Sequence, residues 1–350
     1  INQKENTILK IGPQLEANLS LAGDILTWDE YRIDQRYGQR SFNVICTYNL
    51  KTKQYKQITK RSRYFAPSLS LDGKKIAAVK VTEQNLFSIV ILDTETGTEI
   101  KTYPNPSNFT LQTPSFIPQT EEIIATAVNG EGKTIIRFSE IGNEILLPQT
   151  AQIIARPSFY QNQIIYKANY NGIDNIYALD LDSKEIYALT SAKFGAYNPS
   201  IDLHQQKLYF NDYQTKGYHV ISIDLKELET TLVKNQTNTF VSYFEPLKKQ
   251  ENTSDIFKNI PNQTYESKKY TDVANFFYFH SASIINETNE FTDDYNYGIS
   301  LVSNNKLNTS AASVGYVYNN ALNKSEYRAS LTYQKYYPQI SLNWENRARL

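Results

Sequence analysis

The sequence of 350 residues has few of the residues that form disulfides, metal sites or membrane helices. It contains one cysteine, three histidines and no methionine. A single cysteine excludes an internal disulfide, and no apolar run reaches the roughly 18 residues of a transmembrane helix. Because no initiating methionine is present, we expect the chain to start inside a longer gene product. The lack of a signal peptide then carries no information.

The sequence also lacks net charge, since 36 Lys and Arg residues balance 36 Asp and Glu residues. Proteins that bind nucleic acids usually carry a basic surplus. We therefore expect no nucleic-acid partner for this chain.

Motifs of catalysis and cofactor binding are missing as well. No glycine-rich phosphate loop occurs, and no G-x-S-x-G elbow is present. His204, His219 and His280 have no Cys, His or Glu at metal-ligand spacing. Cys46 falls in a predicted strand, where we expect a buried, unreactive thiol. We therefore expect no enzymatic activity, no catalytic residues, no cofactor and no metal.

Aromatic residues are abundant, with 27 tyrosines and 16 phenylalanines. These residues favour strands, and long helical periodicity is absent before residue 234. The composition and patterning predict an all-β chain.

An internal repeat organises the first two thirds of the chain. Four Pro-Ser pairs open similar segments: Pro67-Ser68, Pro114-Ser115, Pro157-Ser158 and Pro199-Ser200. Their serines are separated by 47, 43 and 42 residues. An earlier copy without the proline starts at Asn18, 50 residues before Ser68. A period of about 40–50 residues is typical of propeller blades.

Each copy contains the same pattern of strands and turns. In the second copy, a turn at Asp72-Gly73-Lys74 precedes an apolar strand at residues 76–79. A polar residue then ends an alternating strand in every copy: Asn49, Asp93, Ser139, Asp180 and Asp224. Because these polar residues recur in each repeat, we expect them to form turns and not an acid–base pair. Four antiparallel strands per copy predict a β-propeller with five complete blades.

The repeat resembles the TolB-like, or PD40/WD40-like, propeller family. Residues 67–76, Pro-Ser-Leu-Ser-Leu-Asp-Gly-Lys-Lys-Ile, are close to that family's P-x-x-S-x-D-G-x-x-I pattern. The resemblance covers residues 7–233 and is weaker at residues 118–120 and 204–206, where other residues replace Asp-Gly. It implies a TolB-like propeller domain over residues 1–233. Such propellers usually have six blades, so residues 7–11 are interpreted as the last strand of a sixth blade encoded upstream.

The repeat stops after Val233, and we expect residues 234–290 to be a linker. Residues 291–350 alternate apolar and small polar side chains over segments of about ten residues, which is typical of transmembrane β-barrel strands. The apolar set comprises Tyr316, Tyr318, Tyr327, Leu331, Tyr333, Leu342 and Trp344, and the polar set comprises Ser313, Ser330, Thr332, Ser341 and Asn343. The alternative is a soluble sheet packed on the propeller.

This segment resembles the start of surface-antigen-type outer-membrane barrels. The resemblance rests on residues 304–309, Asn-Asn-Lys-Leu-Asn-Thr, on Tyr316 to Asn319 and on Tyr336-Tyr337-Pro338. A propeller followed by such a barrel resembles a large outer-membrane protein family of Bacteroidota. About four strands cannot close a barrel, which needs about eight, so the resemblance implies an incomplete barrel that continues beyond Leu350.

These observations favour a non-enzymatic periplasmic propeller of an outer-membrane barrel protein, acting as a scaffold or protein-interaction module. Its partners would be other outer-membrane or periplasmic proteins and, through the C-terminal strands, the outer membrane. One alternative is the propeller of a larger peptidase-like enzyme whose catalytic unit lies outside the chain. Another is a soluble propeller that binds a small ligand or glycan. The upstream sequence would distinguish the peptidase-like enzyme from the scaffold. Cell fractionation would distinguish the soluble ligand-binding propeller from the scaffold.

One insertion is not explained by the repeat. The first copy is longer than the others around residues 31–40, and the extra residues include the candidate partner contacts Tyr31, Arg32, Arg36, Tyr37 and Arg40. Arg and Tyr are enriched at interface hot spots. The alternative is a solvated loop with local ion pairs to Asp29, Glu30 or Asp34.

We predict that the insertion contacts another domain or protein. Replacing Arg32, Arg36 and Arg40 together by Ala should weaken binding of that partner, measured by pull-down with the full gene product, and should leave thermal stability almost unchanged. Unchanged binding would mean that the insertion is only a solvated loop.

Overall fold

The computed structural model describes residues 7–15, 17–34, 40–234, 244–251, 260–261, 263, 265–266, 268–288, 292, 294–336 and 338–347. The chain divides into two compact units. One comprises Ile1–Arg32 with Phe42–Pro246, and the other comprises Ile33–Ser41 with Leu247–Leu350.

The first unit consists of five antiparallel sheets that follow one another along the chain. The first contains β1 (Ser20–Ala22), β2 (Ile25–Ile33), β3 (Ser41–Asn49) and β4 (Gln54–Gln57); the second contains β5 (Tyr64–Leu69), β6 (Lys75–Val81), β7 (Phe87–Asp93) and β8 (Glu99–Tyr103). The third contains β9 (Thr110–Phe116), β10 (Ile123–Asn129), β11 (Gly132–Ser139) and β12 (Gly142–Ile145).

The last two sheets complete the unit. The fourth contains β13 (Ala155–Tyr160), β14 (Gln163–Ala168), β15 (Asn175–Asp180), β16 (Ile186–Ala188) and a later strand, β20 (Thr231–Leu232); the fifth contains β17 (Ala196–Asp202), β18 (Lys207–Gln214) and β19 (Gly217–Asp224). The first strands of consecutive sheets contact one another, which places them innermost. The predicted all-β propeller with five visible blades is confirmed.

Neighbouring blades are held together by apolar side chains from both of their faces. On β6, Ile76 and Ala78 pack in a cluster with Ile45 of the first blade. The intervening Ala77 and Val79 pack on the third blade instead. Similar clusters join the third blade to the fourth and the fourth to the fifth. Because both faces are buried, the central strands are continuous apolar runs, unlike strands with one solvated face.

The Pro-Ser pairs mark a bulge on the innermost strand of four blades. The residue before each proline has a positive φ of 42–53° at Ala66, Thr113, Arg156 and Asn198. Pairing with the second strand of the blade shifts register at the same point in each of these blades. Such bulges reorient the side chain and bend the strand.

The predicted turn role of the repeating polar residues is also confirmed. Asp93 Oδ1 accepts hydrogen bonds from the amides of Glu95 and Thr96, at 3.0 and 2.8 Å. Asp180 Oδ1 does the same for Asp182 and Ser183, at 3.1 and 2.9 Å. Side chains that accept from amides two and three residues ahead stabilise these turns.

The fifth blade differs from the prediction of four strands in every blade. Its strand β19 is followed by β20, which pairs with the fourth blade: Leu232 is opposite Tyr187, and the Val233 amide donates to Ile186 O at 2.9 Å. Leu225 and Leu228 pack on the core between the fourth and fifth blades. Because these leucines are buried there, the chain returns to the fourth blade. Val233 then packs against the cluster between the third and fourth blades.

The segment at residues 7–11, interpreted as a strand of a sixth blade, is not a strand in the structure. Leu9 packs beside Leu26 and Leu50 on the cluster that contains Trp28. This cluster lies on the face of the first blade opposite to the face that packs against the second blade. The segment therefore covers an apolar blade face without pairing to it.

Among its described residues, the second unit contains one five-stranded antiparallel sheet, and one short helix spans the change from the first unit to the second. These are α1 (Glu245–Glu251), β21 (Phe279–Thr288), β22 (Tyr295–Asn304), β23 (Ser310–Asn319), β24 (Lys324–Tyr333) and β25 (Ile340–Asn346), with the strands in sequence order. The range predicted as a linker, 234–290, thus includes α1 and β21. Among the helices described, none has the length and hydropathy needed to cross a membrane.

The sheet register confirms the two faces predicted from the alternation. Tyr316 lies opposite Tyr327, and Leu331 lies opposite Leu342. On the other face, Ser330 lies opposite both Ser313 and Asn343. One face is therefore aromatic and aliphatic, and the other is mainly small and polar.

We predict that the packing between blades dominates the stability of the propeller. Phe138 is fully buried between the second and third blades, so Phe138→Ala should lower the free energy of unfolding by about 3–5 kcal/mol. The matched control is Ile141→Ala, because Ile141 is 97% exposed in the next turn and should change stability by less than about 0.5 kcal/mol. Urea denaturation followed by circular dichroism measures both. Equal losses in the two variants would contradict the prediction.

Candidate functional site

The insertion in the first blade is described in part. The Tyr31 amide donates to Pro13 O at 2.7 Å, and the Asp34 amide donates to Arg40 O at 2.9 Å. Arg40 is exposed, whereas Arg32 is half-buried and pairs with the carboxylate of Glu30. Arg36 and Tyr37 lie outside the described residues. Arg32 thus forms a local ion pair in the structure. Contact between the insertion and another domain or protein stays a prediction.

Glu30 joins the insertion to the segment that precedes the first blade. Its side chain is buried, and Oε1 accepts from Trp28 Nε1 at 2.8 Å and from the Gly12 amide at 2.9 Å. A Cβ on Gly12 would lie 2.6 Å from Oε2, so a larger residue here would require the Glu30 carboxylate to move. Arg32 supplies the positive charge for this buried carboxylate. Replacing Arg32 would therefore also destabilise the first blade, so the expectation that the triple variant leaves thermal stability almost unchanged is wrong.

The innermost strands of the second and third blades border a cavity of about 320 Å³. Its apolar wall consists of Leu15, Phe65, Ala66, Val79, Val81, Phe87 and Leu111, and its polar wall consists of Asn18, Asp29, Arg63, Asn85, Thr110, Gln112 and Thr113. A cavity of this size that combines an apolar wall with polar groups is typical of small-molecule sites.

Three polar side chains in the cavity wall differ in how they are bonded. Asp29 is 3% exposed and accepts hydrogen bonds from Asn43 Nδ2 and, at 3.2 Å, from the Ala66 amide. Arg63 Nη1 donates to Thr82 O at 3.1 Å. Thr113 is 9% exposed, and its hydroxyl has no hydrogen-bond partner among the described residues. Asp29 therefore supports the wall, while Arg63 and Thr113 have bonding capacity left.

A second set of polar contacts lies at the innermost strands around the axis. Arg156, at the bulge of the fourth blade, donates to Ala17 O at 2.8 Å and to Asn18 Oδ1 at 3.3 Å. Asn18 in turn donates to Pro67 O of the second blade at 3.3 Å. These bonds connect the fourth blade, the entrance of the first and the bulge of the second.

The remaining chemically interesting residues are dispersed over the fold. His204 lies in the turn after β17, His219 in β19 and His280 in β21. Over the part of the chain that the structure describes, no group of three His, Cys, Asp or Glu residues could hold a metal ion. Hydrogen bonds from Thr96 hold the pKa of the Asp93 carboxyl below its ordinary value, as expected for an ionised turn residue.

Cys46 lies in β3, fully buried in the cluster beside Trp28. Its Sγ is 3.3 Å from the hydroxyl of Tyr55. Burial raises the pKa of this thiol to about 11 because the thiolate would lose its hydration. The prediction of a buried thiol in a strand of the first blade is confirmed.

No protein-family model matches the chain, and no curated protein sequence matches it either. Solved propeller structures do match. A candidate TolB from Agrobacterium tumefaciens is 12% identical with a TM-score of 0.47, covering 58% of this chain and 80% of that one. TolB from Acinetobacter baumannii is 15% identical with a TM-score of 0.48, covering 80% of this chain and 62% of that one.

The sheets of the first unit follow the order of a β-propeller. The β-propeller domain of the trilobed protease from Pyrococcus furiosus is also similar, at 10% identity and a TM-score of 0.32, over 64% of this chain and 98% of that one. These likenesses concern the fold alone.

We predict that Cys46 does not react with thiol reagents in the folded protein. With a pKa of about 11, only about 0.1% of the thiol is ionised at pH 8, and the sulfur is covered. Labelling by an aromatic disulfide reagent should be at least about 100-fold slower than in urea. The unfolded chain is the control, and its single cysteine makes the signal unambiguous. Equal rates with and without urea would contradict the prediction.

Proposed function

We propose that this chain is the propeller and the first membrane strands of an outer-membrane protein. In this proposal the propeller lies in the periplasm and acts as a non-enzymatic scaffold that binds other outer-membrane or periplasmic proteins. The five-stranded sheet belongs to the membrane-embedded part. The observation that carries the proposal is the exposed apolar face of that sheet.

The exposed face extends across four neighbouring strands. Leu342 and Trp344 are 62% and 58% exposed on β25. Further exposed side chains on this face are Tyr295, Tyr297, Ile299, Leu301, Val314, Tyr316, Tyr327 and Ile340. Soluble monomers rarely expose contiguous apolar patches of more than a few hundred Å². A continuous face of aromatic and branched residues therefore supports contact with lipid.

The opposite face supports the same proposal through its hydrogen bonds. Ser313 and Ser330 hydroxyls are 2.7 Å apart. Arg328 Nη1 donates to Glu287 Oε2 at 2.9 Å, and Asn319 Nδ2 donates to Glu326 Oε1 at 2.9 Å. Small, polar and paired charged residues are typical of the interior of membrane barrels.

Strand length also fits a membrane. Four of the five strands contain ten residues each, and a tilted strand of about 9–11 residues crosses the hydrocarbon core. Closing a barrel takes about eight strands, so the proposal requires more strands than the five described here.

The scaffold role of the propeller rests on how its polar residues are used. The repeating carboxylates bind backbone amides in turns, Glu30 binds the segment before the first blade, and Cys46 is buried. These groups maintain the fold. The blade edges and the insertion then remain as surfaces for protein partners.

We predict that Leu342 contacts lipid in the full gene product. Spin labels at Leu342 and at the neighbouring Asn343, in protein reconstituted into nanodiscs, should separate the two faces. The label at position 342 should be accessible to oxygen, and the label at position 343 to a water-soluble nickel complex. Leu342→Arg should lower stability by about 2–4 kcal/mol near the bilayer centre, whereas the matched Asn343→Arg should cost less.

The proposal would be overturned by a protein that stays soluble without detergent and shows the label at position 342 in contact with water or with other protein. Fractionation of cells that express the full gene product gives an independent result, since the proposal requires recovery in the outer membrane.

A further inference from the structure

The cavity between the second and third blades has a structure that the scaffold role does not require. Phe65, Val79 and Phe87 of the second blade face Leu111 of the third. These side chains belong to, or border, the cluster that holds the two blades together. The cavity of about 320 Å³ is therefore an opening in an otherwise closely packed interface. Liquid water occupies about 30 Å³ per molecule, so the space holds about ten non-hydrogen atoms, as in a hydrocarbon group of five to eight carbon atoms with a carboxylate.

Arg63 supplies an unused charge at this cavity. Its side chain is half-buried and donates one hydrogen bond, to Thr82 O. No carboxylate of the described residues lies within ion-pair distance of it, in contrast to Arg137, which pairs with Glu122 at 2.8 Å. A guanidinium has five N–H donors in a planar fork that matches a carboxylate. Arg63 therefore has donors available for an anionic ligand.

Thr113 provides a second, independent indication of a ligand. It is 91% buried, it lines the cavity, and its hydroxyl has no partner in the described structure. It also stands at the bulge, with a φ of 42°. A buried hydroxyl without a partner loses its hydration without compensation, and an oxygen of a bound molecule would restore the missing bond.

Asp29 lines the same cavity but does not favour a cationic ligand. Its Oδ1 accepts from the Ala66 amide and its Oδ2 accepts from Asn43. With 3% exposure, the carboxylate is covered by these donors. The hydrogen bond from the Ala66 amide to Asp29 stabilises the bulge beside the cavity. Arg63 is therefore the charged group of the cavity wall that a ligand can reach.

We infer that this cavity binds a small monocarboxylate that carries a branched or aromatic hydrocarbon group. The hydrocarbon group lies between the second and third blades, the carboxylate pairs with Arg63, and the Thr113 hydroxyl donates to an oxygen of the ligand. The site lies in the blade interface, and the inference does not depend on membrane insertion.

The test uses 3-phenylpropanoate and 4-methylpentanoate as probes, with calorimetry on the purified chain. Both carboxylates should bind with dissociation constants in the micromolar to low-millimolar range, typical of ligands of about ten atoms. The amine 3-phenylpropylamine has the same carbon skeleton as 3-phenylpropanoate with the opposite charge and should not bind. Acetate has the carboxylate without the hydrocarbon group and should not bind either.

Two variants and one control locate the site. Arg63→Gln should weaken binding of 3-phenylpropanoate about ten- to a hundredfold, because a hydrogen-bonded charge is lost. The control Arg61→Gln removes an exposed arginine two residues away, outside the cavity wall, and should leave the affinity unchanged. Thr113→Val keeps the shape and should weaken binding without lowering the midpoint of thermal unfolding, since the hydroxyl makes no hydrogen bond in the described structure.

Each of the following results would contradict the inference. Absence of carboxylate binding at about ten-millimolar probe, equal binding of the amine, or an unchanged affinity in folded Arg63→Gln would each show that the cavity is not this site. A lower unfolding midpoint in Thr113→Val with unchanged affinity would show that the hydroxyl is structural. Membrane fractionation is unaffected by these outcomes, so failure here is distinguishable from failure of the proposed function.

Discussion

Burial of apolar side chains between neighbouring blades is the interaction on which the propeller depends. A single blade cannot cover both of its own faces, and on β6 the side chains alternate between two different neighbours, Ile76 toward the first blade and Ala77 toward the third. Each blade is stable only because the next one is present. The outer face of the first blade shows the same need, since Leu9 packs on the cluster around Trp28 without forming a strand there.

This packing also constrains the backbone of the innermost strands near the axis. Innermost strands from all blades converge, and the bulge before each Pro-Ser pair changes the direction of the strand at that point. The backbone conformation there is unfavourable for Thr113 and for Arg156, with φ of 42° and 53°, but the bulge directs Arg156 to Ala17 and Asn18. The bulges thus place polar side chains of one blade within hydrogen-bond distance of another blade near the axis.

The features that could be predicted from the sequence are those that repeat. Asp93 and Asp180 recur at equivalent places, and the same local hydrogen bonds appear at both. The pairing of β20 with the fourth blade could not be predicted, because it depends on which core buries Leu228 and Val233. The cavity was also missed. Arg63 and Thr113 are 50 residues apart in the chain and carry no motif, and only the packing of two blades brings them to one space.

The two units distribute their apolar residues differently. Central propeller strands are apolar on both sides because protein covers both sides, whereas strands of the second unit have one mostly apolar and one mostly polar side. A soluble sheet would cover its aromatic face and turn its polar face to water. Here Trp344 and Leu342 are exposed, while Glu326 and Asn319 on the other face are buried and bonded to each other. A face of this composition is stable where its surroundings are hydrocarbon, because each side chain then gains an apolar neighbour without any protein having to cover it.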